Sequence, residues 1–254
     1  MKISHAQFSH SGSRTINQDA IGHVAGETSE WFVVSDGVAG APGGEVASKL
    51  AVATVLSCCA SGADADDAPE GVLHAALAAA NEAILAEQRR NPEQHKMAAT
   101  VAVLRIDRER GTAQWAHLGD SRLYWFRRGL LLGRTRDHSL VQQLADAGLP
   151  CDGISPRLLH LALGVRTDAA PSVGEVVSIH DGDVFLLCTD GLWQQLPDDV
   201  IEHSLRIVHT VDDWLAVLVG EAKTRAGPDG QTDNYSALAV WLGHPERVTL
   251  APVR

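Results

Sequence analysis

The spacing of apolar residues along the chain predicts where its helices and strands lie. Apolar residues that recur every three to four positions, as between Ala47 and Cys58, indicate an amphipathic helix. Short runs rich in Val, Ile, Trp and Phe indicate strands. We predict helices over about 47–58, 67–91, 142–147, 197–205 and 210–226. We predict strands over 3–8, 31–35, 99–106, 112–118, 121–126, 173–179, 183–189 and 235–242.

The order of these elements favours an α+β fold with largely antiparallel sheets. Strands and helices come in blocks, whereas a doubly wound parallel sheet would need them to alternate. The polar stretches at 61–68 and 226–233 are too short to link domains, so we expect one domain over residues 1–254. The stretch from about 142 to 173 has little periodicity beyond its short helix, and a loop-rich excursion of that length is more often functional than idle.

Composition narrows the classes of protein to which the chain can belong. The formal net charge of −11 argues against binding to nucleic acid or to an anionic membrane. The longest mostly apolar stretch, 46–59, is interrupted by Lys49 and is shorter than the ~18–20 residues that span a bilayer. The N-terminus lacks the apolar segment of a secretion signal, so we expect a soluble cytoplasmic protein. The cysteines form no C-x-x-C pair, which gives no support to a zinc site or a disulfide framework.

Three aspartates stand at the ends of strand-like apolar runs. Asp36-Gly37 and Asp190-Gly191 follow such runs, and Asp233-Asn234 precedes one. Each pair alone is typical of a turn or a helix cap, but three carboxylates on rigid strand ends favour a metal centre. Carboxylates without Cys or His partners suit magnesium or manganese, and the carbonyl of Gly37 is open as a further oxygen ligand. A pair of such ions can promote displacement at phosphorus, which indicates a hydrolase.

Three other polar residues have both a functional and a structural interpretation. The guanidinium of Arg14 matches the oxygens of a phosphate group, although a surface ion pair is an alternative. Asp19 could orient a water molecule on the metals without binding them, or it could cap a turn. Asp120 stands between two predicted strands, where it could either shape a hairpin turn or bind an additional metal ion.

Eight short motifs follow one another in order from Arg14 to about Leu242. They are Arg14-x-x-Asn17-Gln18-Asp19, Ser35-Asp36-Gly37, Gly44-Glu45-x-Ala47-Ser48, Gly119-Asp120-Ser121-Arg122, Asp137-His138-Ser139, Ala162-Leu163-Gly164, Thr189-Asp190-Gly191-Leu192 and Asp233-Asn234. In this order they closely resemble the metal-dependent protein Ser/Thr phosphatases of type 2C, in their compact bacterial form. The resemblance implies a sandwich of two antiparallel β-sheets with helices on both outer faces.

The resemblance also implies a set of metal ligands. Asp36 would bridge two Mn²⁺ or Mg²⁺ ions, Gly37 would bind one of them through its carbonyl, and Asp190 and Asp233 would bind the other. Asp120 would help to hold a third, weaker ion together with Asp190. A hydroxide that bridges the two metals would attack phosphoserine or phosphothreonine directly.

Further expectations follow from the same resemblance. Arg14 would hold the substrate phosphate. Asp19 would not bind the metals directly but would orient a water molecule bound to them. The stretch at about 142–173 would be the flap beside the active site that influences substrate choice. The partners would be phosphorylated proteins and a cognate bacterial Ser/Thr kinase, and we expect a monomer.

The chain departs from the family pattern where a proton donor is expected. Relatives usually carry a histidine directly after the first Asp-Gly pair or a few residues later, where this chain has Val38 and Ala41. Some acid must protonate the serine or threonine oxygen as it leaves. A water molecule on the metals could supply that proton, and we do not assign the role to His138, whose motif looks structural.

Two alternative functions stay open at this point. The absence of the expected histidines is compatible with a catalytically silent module that binds phosphoproteins. A phosphohydrolase with an aspartyl-phosphate intermediate would need an Asp-x-Asp motif at a strand end. The candidate for that motif, Asp64-Ala65-Asp66, lies in a polar loop.

Overall fold

The strands form two antiparallel sheets in the computed structural model, which describes residues 1–40, 42–60, 69–167, 169–225 and 232–244. The strands are β1 (Ile3–His10), β2 (Asp19–Ala25), β3 (Ser29–Asp36), β4 (Val101–Asp107), β5 (Thr112–Leu118), β6 (Arg122–Arg127), β7 (Leu130–Arg134), β8 (Ser172–Val173), β9 (Val177–Ser178), β10 (Asp183–Cys188) and β11 (Tyr235–Leu242). The helices are α1 (Gly44–Ala60), α2 (Pro69–Arg90), α3 (Leu140–Asp146), α4 (Asp190–Trp193), α5 (Asp198–Leu205) and α6 (Val211–Arg225), with a 3₁₀ turn at Pro92–Gln94.

The order of strands brings distant parts of the chain together. The first sheet runs β1-β11-β10-β6-β7, and the second runs β2-β3-β4-β5-β8, with β9 also paired to β5. The last strand, β11, therefore lies between the first strand and β10. In the second sheet, Asp19 at the start of β2 pairs with Asp36 at the end of β3.

Alternation along the strands produces three apolar layers. In β3, Phe32 and Val34 point toward the other sheet, whereas Trp31 and Val33 pack under α1 and α2. A strand that is buried on both faces reads as a continuous apolar run, which is why β3 was recognisable in the sequence. The third layer packs Trp214 and Leu218 of α6 onto the first sheet. The prediction of an α+β sandwich with helices on both outer faces is confirmed.

Some element predictions were wrong. The strands β2 and β7 were not predicted, because β2 contains Gly22 and His23 and β7 is a half-exposed edge strand. The predicted strand at 173–179 is two separate two-residue strands. Residues 61–68, with the Asp64-Ala65-Asp66 motif, and the predicted helix end near Gly227 lie outside the described residues.

No helix in the ranges given above is long and apolar enough to cross a membrane.

Candidate metal centre

Asp36 is held at the end of β3 by contacts with the residue that precedes β4. The Asp36 N–H donates to Thr100 Oγ1 at 3.0 Å, and the Asp36 carbonyl accepts from the Thr100 N–H at 2.8 Å. Thr100 Oγ1 also lies 2.6 Å from Ser121 Oγ, next to Asp120. The backbone around the first aspartate is therefore tied to the hairpin that carries Asp120.

Gly37 is required by the close approach of helix α1. Its N–H donates to the Gln18 carbonyl at 3.1 Å, and its backbone pairs with Ala99. A Cβ at this position would lie 2.4 Å from the backbone carbon and oxygen of Gly44, the first residue of α1. Because backbone atoms cannot move aside as a side chain can, only glycine fits here.

Asp190 opens α4 directly after β10, so a buried strand carries it into the site. Its Oδ2 accepts from Gln194 Nε2 at 2.8 Å. The residue before it, Thr189, donates from Oγ1 to Asp19 Oδ2 at 2.9 Å. A Cβ on Gly191 would lie 2.0 Å from the Asn234 carbonyl oxygen. Gly191 therefore permits close contact between the start of α4 and the residue before β11, and is not only a turn residue.

Asp233 lies between two arginines. Its Oδ2 is 2.9 Å from Nη2 of Arg14 and 3.3 Å from Nη2 of Arg157. Arg14 was singled out in the sequence, whereas Arg157 was missed. Arg157 belongs to the irregular stretch at 142–173, where no periodicity or motif distinguishes it from the other arginines of that region. Only the fold brings it to the cleft.

Asp120 occupies the turn between β5 and β6, and its backbone is also held by α4. Its carbonyl accepts from Trp193 Nε1 at 2.9 Å, which ties it to α4. The Arg122 guanidinium lies 3.4 Å from the centre of the Trp193 ring and forms two hydrogen bonds with Asp137, at 2.7 and 2.8 Å. Two motifs that are distant in the sequence thereby fix the position of Asp120 beside Asp190.

These side chains converge on one cleft of about 110 Å³. Its lining residues are Gln18, Asp36, Gly37, Val38, Ala39, Thr100, Asp120, Arg157, Leu159, Asp190, Asp233 and Asn234. All four candidate metal-binding aspartates therefore face one space. Arg14 reaches it through Asp233, and Asp19 lies behind it, next to Thr189.

Burial and mutual repulsion raise the pKa values of the aspartates. The pKa of Asp36 lies well above its usual range, because of its burial and the charges of Asp19 and Asp190. Burial, followed by the charge of Asp233, raises the pKa of Asp190 to about 6. Burial, followed by the charge of Asp190, raises the pKa of Asp120 to about 7. Such a group of carboxylates is costly to ionise unless positive charge is supplied.

The residues present fit a centre for hard divalent cations. The donors that line the cleft are carboxylate and carbonyl oxygens, which hard divalent cations prefer as ligands. Among the described residues, no three His, Cys, Asp or Glu side chains are grouped as the ligands of one ion. In this arrangement Asp233 is turned toward Arg14 and Arg157, which supply the positive charge at its carboxylate.

The cleft lining contains no histidine within the described part of the chain. Val38 lines it as a purely apolar side chain, and Ala41 lies outside the described residues. His138 is held elsewhere, since its Nδ1 accepts from the Gly119 N–H at 3.1 Å and its ring stacks on His117 at 4.5 Å. Burial and the neighbouring histidines lower the pKa of His138 to about 4, so its ring is neutral and serves as an acceptor.

Comparison with known proteins connects this cleft to one family. The family model described as Protein phosphatase 2C matches residues 6–144. The Mycobacterium tuberculosis serine/threonine protein phosphatase PstP is 32% identical over 231 residues, which is 86% of this chain and 41% of the relative. The chain thus spans about two fifths of the length of that relative.

Solved structures show the same fold. The crystal structure of the Mycobacterium tuberculosis phosphatase PstP/Ppp has a TM-score of 0.78 and 30% identity, and the match covers 95% of this chain and 99% of that one. A structure of the PstP catalytic domain in complex with two manganese ions has a TM-score of 0.77 and 28% identity, with coverage of 95% and 98%.

Proposed function

The chain belongs to the protein phosphatase 2C family, and we propose that it hydrolyses phosphoserine and phosphothreonine in proteins with the help of divalent metal ions. One observation carries the proposal. Asp36, Asp190 and Asp233, which lie far apart in the sequence, line the same cleft together with Arg157, and Arg14 contacts Asp233 at its edge. The cleft thus combines hard cation ligands with phosphate-binding guanidinium groups.

The proposed ligands are Asp36, the carbonyl of Gly37, Asp190 and Asp233 for two ions, with Asp120 and Asp190 at a third. The two-manganese structure of the PstP domain supports this choice of metal, and Mg²⁺ has the same preference for oxygen ligands. When bound, the ions supply a water-derived nucleophile and neutralise charge on the phosphate. The buried strands β3 and β10 keep Asp36 and Asp190 in place, whereas Asp233 has to turn from the arginines toward the cations.

Arg14 and Arg157 are the proposed phosphate ligands. Both guanidinium groups are about half exposed and form ion pairs with Asp233 Oδ2, so each can turn toward a phosphate oxygen. Asp19 is the proposed group that orients water, because it is buried behind the cleft, where Thr189 Oγ1 donates to its Oδ2. Arg157 belongs to the proposed flap at about 142–173, so its contact with the phosphate would bring the flap against the substrate.

The proposal extends to the setting of the enzyme. Residues 1–254 form one catalytic domain, which acts as a monomer in the cytoplasm. Its substrates are the phosphoprotein products of a Ser/Thr kinase, whose signalling it reverses. The names of the phosphatases that resemble it support the class of substrate, and the net charge of −11 makes nucleic acid an unfavourable partner.

The Asp36→Asn variant tests the proposal. We expect wild type to release phosphate from phosphoserine and phosphothreonine peptides with Mn²⁺, and Asp36→Asn to lose at least about a thousandfold of that rate. Asp213→Asn, on the exposed face of α6, is the matched control for the loss of one carboxylate. Hydrolysis that persists in Asp36→Asn, or in excess chelator, would refute the proposed mechanism.

The second candidate function, phosphoprotein binding without turnover, has one observation in its favour, namely the apolar Val38 in place of an acid in the cleft. The same experiment separates the two functions. Tight binding of a phosphopeptide with no phosphate release at saturating Mn²⁺ would favour the binding module.

A further inference from the structure

The loop that carries Arg14, residues 11–18, has no helix or strand of its own. Its backbone is hydrogen-bonded to the segment before β11, since the Ser13 N–H donates to the Thr232 carbonyl at 3.0 Å. Within the loop, the Arg14 N–H donates to the Ser11 carbonyl at 3.0 Å. A phosphate ligand on such a loop is useful only if the backbone beneath it is fixed.

The Asn234 side chain fixes this loop from inside. Its Oδ1 accepts from the Gln18 N–H at 2.8 Å. Its Nδ2 donates to the carbonyls of Ser11 and Ile16, at 2.9 and 3.0 Å. Asn234 is only 4% exposed, so these bonds replace water at backbone groups on both sides of Arg14.

Asn234 also contacts Asp233, a proposed metal ligand, and Gly191, which follows the proposed ligand Asp190. The Asn234 N–H donates to Asp233 Oδ1 at 3.0 Å. Its carbonyl oxygen is the atom that leaves no space for a Cβ on Gly191, directly after Asp190. Asn234 is thus in contact with the Arg14 loop, with the Asp233 carboxylate and with the start of α4.

The three side-chain bonds require a carboxamide. Asparagine offers one carbonyl acceptor and two N–H donors in a fixed plane, which is the combination that Gln18, Ser11 and Ile16 need. An aspartate of the same shape could still accept from Gln18. It would meet two carbonyl oxygens with no proton to donate, and a buried acceptor without a donor is unfavourable.

We propose that Asn234 is a positioning residue that holds Arg14 at the edge of the cleft lined by the aspartates. The substrate phosphate and the cations can then bind next to each other. This inference rests on the proposed phosphatase function, because it takes Arg14 as the phosphate ligand. Asn234 acts through the backbone of residues 11–18 and through Asp233.

The test is a double-mutant cycle between Asn234→Asp and Arg14→Ala, measured on a phosphothreonine peptide at saturating Mn²⁺. We expect Asn234→Asp alone to raise KM about tenfold with a smaller change in kcat, since it disturbs phosphate binding. In the Arg14→Ala background the same change should raise KM less than about twofold, because Arg14 is then no longer there to be misplaced.

Hydrogen exchange supplies a readout that does not depend on turnover. We expect the amides of residues 11–18 to exchange at least about tenfold faster in Asn234→Asp than in wild type, while amides of β4 are unchanged. Asn81→Asp is the matched control, because within the described residues the Asn81 side chain forms one hydrogen bond, in which Oδ1 accepts from the Gly164 N–H at 2.8 Å, and an aspartate keeps that bond. KM and exchange of residues 11–18 should stay at wild-type values in this control.

Two results would overturn the inference, namely KM effects of Asn234→Asp and Arg14→Ala that simply multiply, or unchanged exchange at residues 11–18. If Asn234→Asp does not fold, Asn234→Ser replaces it, since serine removes the carboxamide and its two donated bonds without adding charge. If wild type hydrolyses no phosphopeptide, the proposed function fails, and the exchange result still decides whether Asn234 holds the loop.

Discussion

The contact between Gly191 and Asn234 makes a quantitative prediction. A Cβ on Gly191 would lie 2.0 Å from the Asn234 carbonyl oxygen and 2.9 Å from its carbonyl carbon. Real Cβ atoms stay at least 3.0 Å from such atoms, so Gly191→Ala must separate the start of α4 from the start of β11 by 1.0 Å or more (3.0 minus 2.0). The carbonyl cannot swing aside freely, because Asn234 is bonded to the Arg14 loop on its other side.

The expected cost combines two opposing effects. Overpacking of this kind destabilises a protein by about 1–3 kcal/mol. Alanine in a helix is more stable than glycine by up to about 1 kcal/mol, which offsets part of the cost. We therefore expect Gly191→Ala to lower the free energy of unfolding by about 1–2 kcal/mol, or the melting temperature by roughly 2–8 °C for a chain of this size.

We expect Gly191→Ala to affect the rate of turnover more strongly than the free energy of unfolding. The displacement separates Asp190 from Asp233, and a misplacement of about 1 Å in a catalytic site can cost about a hundredfold in rate. We expect phosphopeptide turnover at fixed Mn²⁺ to fall about tenfold to a hundredfold, and the Mn²⁺ concentration for half-maximal rate to rise.

Gly220→Ala is the matched control. Gly220 is also a helical glycine, but a Cβ there would meet no atom of the described residues within 4 Å, so this variant should be more stable than wild type by up to about 1 kcal/mol and fully active. Urea denaturation and phosphate release, measured side by side, check both variants. If Gly191→Ala behaves like Gly220→Ala, the proposed role of the close contact is wrong.

Two further predictions follow from the histidine and valine positions. Because the pKa of folded His138 is lowered from 6.5 to about 4, its neutral ring contributes stability in full above pH 6.5 and loses that contribution as the pH falls toward 4. The difference in free energy of unfolding between wild type and His138→Gln should therefore shrink from pH 7.5 to pH 4.5 in urea titrations, and a constant difference would contradict this. Val38→His, which places an acid in the cleft, should raise kcat about tenfold for phosphoserine peptides but not for p-nitrophenyl phosphate, whose leaving group needs no proton. Val38→Gln is the control for polarity, and equal changes on both substrates would show that proton delivery is not limiting.

Much of the secondary structure could be predicted from local patterns. The strands β4, β10 and β11 are buried along their whole lengths, and β3 is buried at every residue before Asp36, so these continuous apolar runs are recognisable in the sequence. The edge strand β7 is half exposed and β2 carries glycine and histidine, so neither has a pattern that local reasoning could distinguish from a loop.

Some residues of the candidate site could likewise be predicted from local patterns, and others could not. Asp36, Asp190 and Asp233 could be selected because each adjoins a strand with a strong apolar signal. Arg157 could not, since it lies in an irregular stretch and its importance comes from its distance to Asp233. Gly191 and Asn234 were recognisable as motif residues, but their contact with each other was not.

Most strands and helices, and the carboxylates at the strand ends, could be placed from the sequence, because these properties depend on the periodicity of neighbouring residues. The position of β11 beside β10 and the packing of the 11–18 loop on Asn234 are visible only in the folded chain. The contact between Gln18 and Asn234 joins residues 216 positions apart. Their geometry depends on the packing of whole sheets, which no local pattern specifies.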